Sequence, residues 1–353
     1  MIRSRIIPFY VPPLPCEPMC LYCHPLAGMA PELWPSMPTV QRVLERIGTE
    51  HELLQLGTLS SANGLELAWY GGLLSQPDGV RRPLLEASLQ GLSRGLLSRI
   101  RLALRPDQVE TSAPSELKLL DLQALGVSTF ELEVASVVPS SLQRMGPGHH
   151  PRRLEQAIPN LRQLQPGVQV GLTVRIGMPG SYAEAELRGA EWIASLQPDF
   201  VRLHPVLVLA NTWLEQEMLK GRFHPLTLDE AVSLCRHWME PLESKGIPVI
   251  RVGIQPIRDL HLRPGVVVGG PFHPSLRTLM DAETLLERAG SLLQGRILTG
   301  QKIVLGVAPG SEGALRGPEN HNLNRLKRRF RCASLQVQVD PTLARGDVVL
   351  LAP

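Results

Sequence analysis

The sequence lacks any long uncharged run. Its longest stretch without Asp, Glu, Lys or Arg extends only from Pro18 to Pro31, too short to span a bilayer as a helix. A signal-peptide pattern is missing too: the apolar run after Arg3 and Arg5 is broken by Pro8, Pro12, Pro13 and Pro15, with no small-residue cleavage site. Neither sign of charge is in excess. Against 36 Lys and Arg stand 33 Asp and Glu, a formal net charge of +3, so composition alone does not announce a nucleic-acid-binding protein. Five cysteines in 353 residues exclude a disulfide scaffold. There is no low-complexity linker and no fixed-period repeat. What is present is a 43% hydrophobic content, which permits a substantial core and excludes wholesale disorder. The length fits one large α/β domain or two smaller ones. Abundant proline (32) and glycine (31) point to many loops.

Apolar strand-like runs alternate with helical patterns. The strands are expected at Ile6–Val11, Leu65–Tyr70, Arg99–Leu104, Ser128–Val134, Val168–Ile176, Phe200–His204 and Pro248–Gly253. Their near-continuous apolar content suggests central parallel strands covered on both faces. Ser181 to Glu184 matches a capping box ahead of an apolar helical face through Ala190, Ile193 and Ala194. Thr227 to Glu230 repeats the pattern. Leu228, Ala231, Val232, Cys235, Met239 and Leu242 then share one stripe, which makes Cys235 a core residue rather than a ligand. A helix is also expected over Ser275–Ala289. Beyond residue 300, two strand-like runs flank a basic helical segment, Asn322–Arg331. Repeated βα units permit either an open doubly wound sheet or a barrel.

Chemistry is concentrated in Cys16-Glu-Pro-Met-Cys20-Leu-Tyr-Cys23, directly after the first strand. Thiolate sulfur suits zinc or an iron–sulfur cluster. A structural zinc site normally has four ligands, and His24 is an awkward fourth because it adjoins Cys23. Three thiolates on a four-iron cluster leave one iron open to chemistry.

This spacing, with Tyr22 before the third cysteine, resembles the radical S-adenosylmethionine superfamily. Ala68-Trp-Tyr-Gly71-Gly72 falls where such enzymes carry a Gly-Gly motif. Arg105-Pro-Asp107, Phe130-Glu-Leu-Glu133, Gly177-Met-Pro-Gly180, Pro198-Asp-Phe-Val-Arg-Leu-His-Pro205, Val249-Ile-Arg-Val-Gly-Ile-Gln-Pro256, Gly269-Gly-Pro-Phe-His-Pro274 and Arg316-Gly-Pro-Glu-Asn-His resemble successive landmarks of its elongator-protein-3-like branch. The resemblance implies an α/β fold: a partial (βα)6 radical SAM barrel over residues 1–255 with a small C-terminal α/β extension over 256–353. It further implies one 4Fe-4S cluster on Cys16, Cys20 and Cys23, whose open iron chelates S-adenosyl-L-methionine. One electron then cleaves the sulfonium carbon–sulfur bond and starts radical chemistry.

By the same resemblance, Tyr22, Gly71, Gly72, Glu133, Arg175, Gly177 and Gly180 are the expected cofactor-binding residues. Arg202 and His204, two apart on one strand, should point to the same side. With His273 they are candidate substrate contacts. The chain departs from the branch at Leu73–Leu74, at Ala135 and at Gly146-Pro-Gly-His-His150, which bears on the substrate more than on the cofactor.

The resulting expectation is a cytoplasmic radical SAM enzyme served by an intracellular electron donor. The chain looks too short for the acetyltransferase domain of the full elongator-type enzymes, and its substrate is not identified by the sequence. Two alternatives stand beside it. One is an RNA-modifying enzyme related to wobble-uridine modification, with the cations of Arg325-Leu-Lys-Arg-Arg-Phe-Arg331 on the phosphate backbone. The other is a non-catalytic iron–sulfur or interaction protein descended from a radical SAM enzyme.

Overall fold

A computed structural model describes residues 4–12, 36–59, 63–109, 119–143, 149–164, 166–254, 265–344 and 346–352. Cys16, Cys20, Tyr22 and Cys23 lie outside the described residues. Two compact units divide the chain, Met1–Thr227 with His237–Phe272, and Leu228–Arg236 with His273–Pro353.

The first unit is built on strands β1 (Arg5–Val11), β2 (Leu65–Gly71), β3 (Arg99–Leu104), β4 (Val127–Val134), β5 (Gln169–Ile176), β6 (Phe200–Pro205), β7 (Val208–Leu209), β8 (Val249–Val252) and β9 (Val267–Gly269). All except β7 and β9 join one sheet in the order β1-β2-β3-β4-β5-β6-β8, with every pair parallel. The short β7 and β9 pair antiparallel with each other. Helices intersperse the strands, chiefly α1 (Val40–Gln55), α2 (Asp78–Ser93), α3 (Leu119–Ala124), α4 (Pro139–Leu142), α5 (Pro151–Arg162), α6 (Ala183–Ser195) and α7 (Trp213–Leu219), followed by α8 (Leu228–Ser244). The architecture is the expected partial parallel barrel, and its seven strands fall on the seven apolar runs of the sequence.

Parallel strands are buried on both faces, and the two faces here differ in chemistry. One alternate set is apolar: Ile7, Phe9 and Val11, then Leu65, Leu67 and Trp69, then Ile100, Leu102 and Leu104, all buried. Trp69 packs on Phe9 with ring centroids 5.3 Å apart and donates its indole N–H to Ser88 of α2 at 3.0 Å, so this face meets the helices. The other set is polar: Glu66, Arg101, Glu131, Thr173 and Arg202 are buried as well. The strands are thus covered on both faces, as the run composition suggests, but the chemistry of the cover differs between them. The opposite face is closed by paired charges, because a buried ion needs a partner and hydrogen bonds.

The capping-box expectation is corrected too. α6 starts after Tyr182, which makes no side-chain cap bond. The Ser181 hydroxyl instead donates to Glu186, one turn into the helix. That carboxylate also accepts the Gly177 N–H at 2.9 Å and, on its other oxygen, the Trp238 N–H at 3.0 Å. A carboxylate that gathers two donors from the preceding loop and one from Trp238 outcompetes a local cap.

Burial raises the Glu186 carboxyl above the ordinary glutamate range, against the lowering by Ser181, Gly177 and Trp238. The folded state thus holds a proton that the unfolded chain releases. Its contribution to stability is complete below the ordinary glutamate pKa and declines as pH rises to the raised value. Denaturant titrations across that window should show the decline in the wild-type chain and lose it in Glu186→Gln. An identical slope in both would refute the assignment.

In the second unit β10 (Lys302–Val307) is central, with β11 (Ser334–Val339) parallel on one side and β12 (Val348–Ala352) antiparallel on the other. Helices α9 (Leu276–Leu293), α10 (Glu312–Arg316) and α11 (His321–Phe330) belong to this unit. Leu285, Leu293, Ile303, Leu305, Leu315 and Leu326 form its core. This is the expected α/β extension, with β12 as an additional strand. Cys235 is fully buried, as its place on the α8 stripe predicts.

Candidate functional site

The polar face of the seven-stranded sheet carries a layered charge network. Register explains it. Arg101 lies beside Ala68 and Thr129, Glu131 beside Ala103 and Gly171, and Thr173 beside Glu133 and Arg202. Gly171 is required by the deep end, where the Phe200 ring occupies the space a β-carbon would need, at 2.0 Å. The Arg101 guanidinium lies 4.5 Å above that ring.

Arg101 is bidentate to Glu66, at 3.0 and 2.9 Å, and reaches Glu131 at 2.9 Å. Glu131 also accepts the Thr173 hydroxyl and pairs with Arg202 Nε at 3.2 Å. Burial pushes the Glu131 carboxyl toward protonation. Arg202 and Arg101, with the hydrogen bonds from Thr173 and Arg101, outweigh it and hold the group below the ordinary range. Burial likewise opposes the Arg101 charge, but Glu66 and Glu131 keep its pKa raised. Arg202 continues the chain across the Tyr70 ring, 5.0 Å from its centroid. The Tyr70 hydroxyl has no hydrogen-bond partner among the described residues. Burial, then Glu131, hold it protonated well above the usual phenol range, against Arg202 and Arg101.

Toward the C-terminal ends of the strands the network opens. Arg175 pairs with Glu133 at 2.5 Å, their side chains 17% and 22% exposed, whereas Arg202 below is 2% exposed. Next to Arg175 in register is His204. Its Nε2 is buried and has no hydrogen-bond partner among the described residues. Burial, then the positive charges of Arg202, Arg175 and Arg251, hold the ring neutral, its pKa well below the usual imidazole value. Arg251 of β8 lies beside Arg202 and donates to the Gly253 and Ile254 carbonyls at 3.2 and 2.9 Å. The rim can therefore bind charged groups and hold a neutral imidazole beside them.

The glycines at this end have reasons of their own. Gly71 has φ +82° and a β-carbon there would stand 2.2 Å from the Val11 carbonyl oxygen. Gly72, at φ −98°, donates its N–H to that same oxygen at 2.8 Å. Gly177 has φ +75° and fits under Leu226, while Gly180, φ +86°, accepts the Ser140 hydroxyl at 2.9 Å. Ala135, where the branch has glutamine, joins an apolar cluster with Met178, Val206, Val208, Leu214 and Phe223.

Glu133, Arg175, Arg202 and His204 are thus gathered on one face of the sheet. His273 lies in the other unit, where its Nδ1 accepts the Ser275 N–H at 3.1 Å. Sequence reasoning missed Glu66, Tyr70, Arg101, Glu131, Thr173 and Arg251. The signal was available as a polar residue at every second position within strands read as apolar. Among the described residues no group of three or more His, Cys, Asp or Glu could hold a metal ion, and no helix is long and apolar enough to cross a membrane.

Residues 198–288 match the family described as the Radical_SAM C-terminal domain. A tRNA uridine(34) acetyltransferase of Dehalococcoides mccartyi is 24% identical over 289 residues, which cover 75% of this chain and 60% of that protein. One from Methanocaldococcus infernus is 28% identical over 126 residues, 35% of this chain and 23% of the relative. The chain thus spans less than two thirds of these relatives. Among solved structures, the archaeal Elp3 of Methanocaldococcus infernus with its N-terminal residues 1–46 deleted superposes with a TM-score of 0.56 at 18% identity, over 81% of this chain and 64% of that one. The seven-stranded partial barrel and the matched segment lead to one conclusion: the chain has the radical SAM partial-barrel fold, and its residues 198–288 are similar to the Radical_SAM C-terminal domain.

Proposed function

We propose that this protein is a radical SAM enzyme that binds one 4Fe-4S cluster and S-adenosyl-L-methionine and acts on a substrate held at the open rim of the half-barrel. Cys16, Cys20 and Cys23 would hold the cluster, in the segment that follows β1. When bound and reduced, it supplies the electron that cleaves the sulfonium carbon–sulfur bond. The observation that carries the reading is the polar inner face of the partial barrel, which opens toward the strand ends. There the buried His204 Nε2, unpartnered among the described residues, and the Glu133–Arg175 pair supply hydrogen-bonding and charged groups suited to a zwitterionic cofactor and a substrate. The fit is chemical. His204 would meet substrate with Arg202, held by Glu131, standing behind it, and Glu133 and Arg175 would meet the cofactor. The need for reduced thiolates and a one-electron donor makes the expected setting intracellular and cytoplasmic.

Anaerobic reconstitution tests this. Iron, sulfide and paramagnetic resonance should agree on one four-iron cluster per chain, and a reductant with S-adenosylmethionine should release 5′-deoxyadenosine. Stoichiometric zinc without a reconstitutable cluster would overturn the reading. A cluster that never yields 5′-deoxyadenosine would favour the non-catalytic descendant.

A second reading, RNA as substrate, draws on α11. Leu323 and Leu326 are buried while Arg325, Lys327, Arg328, Arg329 and Arg331 are all exposed, and the tRNA-modifying names of the relatives point the same way. Neutralising these five side chains should lower RNA affinity and flatten its salt dependence.

A further inference from the structure

Charge at the open rim does not balance among the described residues. Glu66 and Glu131 answer Arg101 and Arg202, and Glu133 answers Arg175. Arg251 has no carboxylate partner there. Its Nε and Nη2 are spent on the Gly253 and Ile254 carbonyls, which fix the side chain without neutralising it. A half-buried guanidinium without a counter-ion carries a desolvation cost that neutral acceptors offset only in part. Beside it, the His204 ring feels three guanidiniums, Arg175, Arg202 and Arg251, and keeps Nε2 buried without a partner among the described residues. Among the described residues a cation without a counter-charge and a ring nitrogen without a partner thus stand together at the open end of a polar cradle, and both suit an anion.

We infer that this rim binds an anionic group, a carboxylate or a phosphate, of the molecule on which the enzyme acts, with Arg251 and His204 Nε2 as its direct ligands. The inference rests on the radical SAM reading above and adds the class of substrate. Arg251 stands on β8, the strand at the opposite end of the sheet order from β1. Arg175, which would meet the cofactor, lies beside His204. Competition with S-adenosylmethionine therefore decides whether the two sites are distinct. Arg202 holds a fixed place behind the subsite, because Glu131 and the Tyr70 ring already engage it. The anion would accept from the Nε2–H of His204 and from the guanidinium, a charge-assisted arrangement.

The test uses the full chain with its histidines labelled with ¹⁵N and inorganic phosphate as probe, without need of a loaded cluster. Phosphate should produce a saturable shift of the His204 ring nitrogens and raise the ring's pKa, since an anion offsets the surrounding positive field. Arg251→Gln should weaken phosphate by about tenfold or more, the loss of one hydrogen bond to a charged group. Should that variant not fold, calorimetric phosphate titration of His204→Gln takes its place, with weakening again expected. Acetate in a parallel titration identifies the anion: binding of phosphate, acetate or both supports the inference, and binding of neither overturns it. Unchanged phosphate affinity in a folded variant also overturns it. So does displacement of phosphate by saturating S-adenosylmethionine, which would make the subsite the cofactor's own. Failure of the radical SAM reading would appear elsewhere, as a missing cluster or missing 5′-deoxyadenosine, and would leave the phosphate titration unchanged.

Discussion

Glu131→Ala should destabilise the protein by about 3–5 kcal/mol at neutral pH, the range for breaking a buried ion pair from one side. The variant leaves Arg101 with Glu66 alone, removes the carboxylate partner of Arg202, and frees the Thr173 hydroxyl. Each of those groups is buried, so water does not replace what is lost. The pH dependence follows from the depressed Glu131 pKa. A carboxyl that is more acidic in the folded state contributes stability that is present above the ordinary glutamate value and lost as pH falls through the depressed one. The gap between wild type and variant in denaturant titrations should therefore narrow on acidification. A loss below about 1 kcal/mol would show that the sheet relaxes around the missing carboxylate. The double variant Glu131→Ala with Arg202→Met separates pair from packing, because removing both charges should recover part of the loss.

This network was written into the strands and still escaped a reading by apolar runs. In Leu65–Tyr70 the residues Glu66, Ala68 and Tyr70 alternate with Leu65, Leu67 and Trp69, and in Val127–Val134 the residues Thr129, Glu131 and Glu133 alternate with apolar neighbours. Period-2 alternation usually marks a face turned to solvent. Here both sets are buried except at the strand ends, and only the register between strands reveals that Glu131 meets Arg101 from one side and Arg202 from the other. Strand positions were legible to within a residue or two, because each run is bounded by polar or glycine-rich turns. Arg202 and His204 were placed on one side correctly, since that follows from strand geometry alone. Arg251 was invisible as a site residue: its meaning comes from the lack of a counter-charge among the described residues, which no local pattern encodes. Ser181 misled for the opposite reason. It has the right local spacing for a cap, but Glu186 collects Ser181 and Gly177 from the preceding loop and Trp238 from a segment distant in sequence. The cysteine segment, the most legible chemistry in the sequence, lies outside the described residues.

Gly71 and Gly72 should respond to alanine in opposite ways. At Gly71 the positive φ costs a β-carbon about 1–2 kcal/mol, and the overlap with the Val11 carbonyl oxygen at 2.2 Å adds an overpacking cost of about 1–3 kcal/mol. That oxygen is also the acceptor of the Gly72 N–H, so moving it aside breaks the link between the ends of β1 and β2. Gly71→Ala should therefore lose roughly 3 kcal/mol by denaturant titration. The glycine at 71 is explained by the fold without invoking a cofactor. Gly72 has φ −98° and ψ 33°, a conformation open to alanine, and its carbonyl accepts both the Ser75 N–H at 3.1 Å and the Ser75 hydroxyl at 2.7 Å. Backbone bonds of that kind survive an added methyl group. Gly72→Ala should stay within about 1 kcal/mol of wild type, the helix-and-turn difference between the two residues. If Gly72 lets the backbone approach the methionine end of the cofactor, the same variant should bind S-adenosylmethionine about tenfold more weakly or worse while keeping its full iron content, the equivalent of one lost hydrogen bond. Calorimetric affinity and iron occupancy on the reconstituted chain measure both quantities together. Wild-type affinity in a folded, iron-loaded Gly72→Ala protein would remove Gly72 from the cofactor site and leave it as the turn residue that starts the Leu73–Ser75 helical turn.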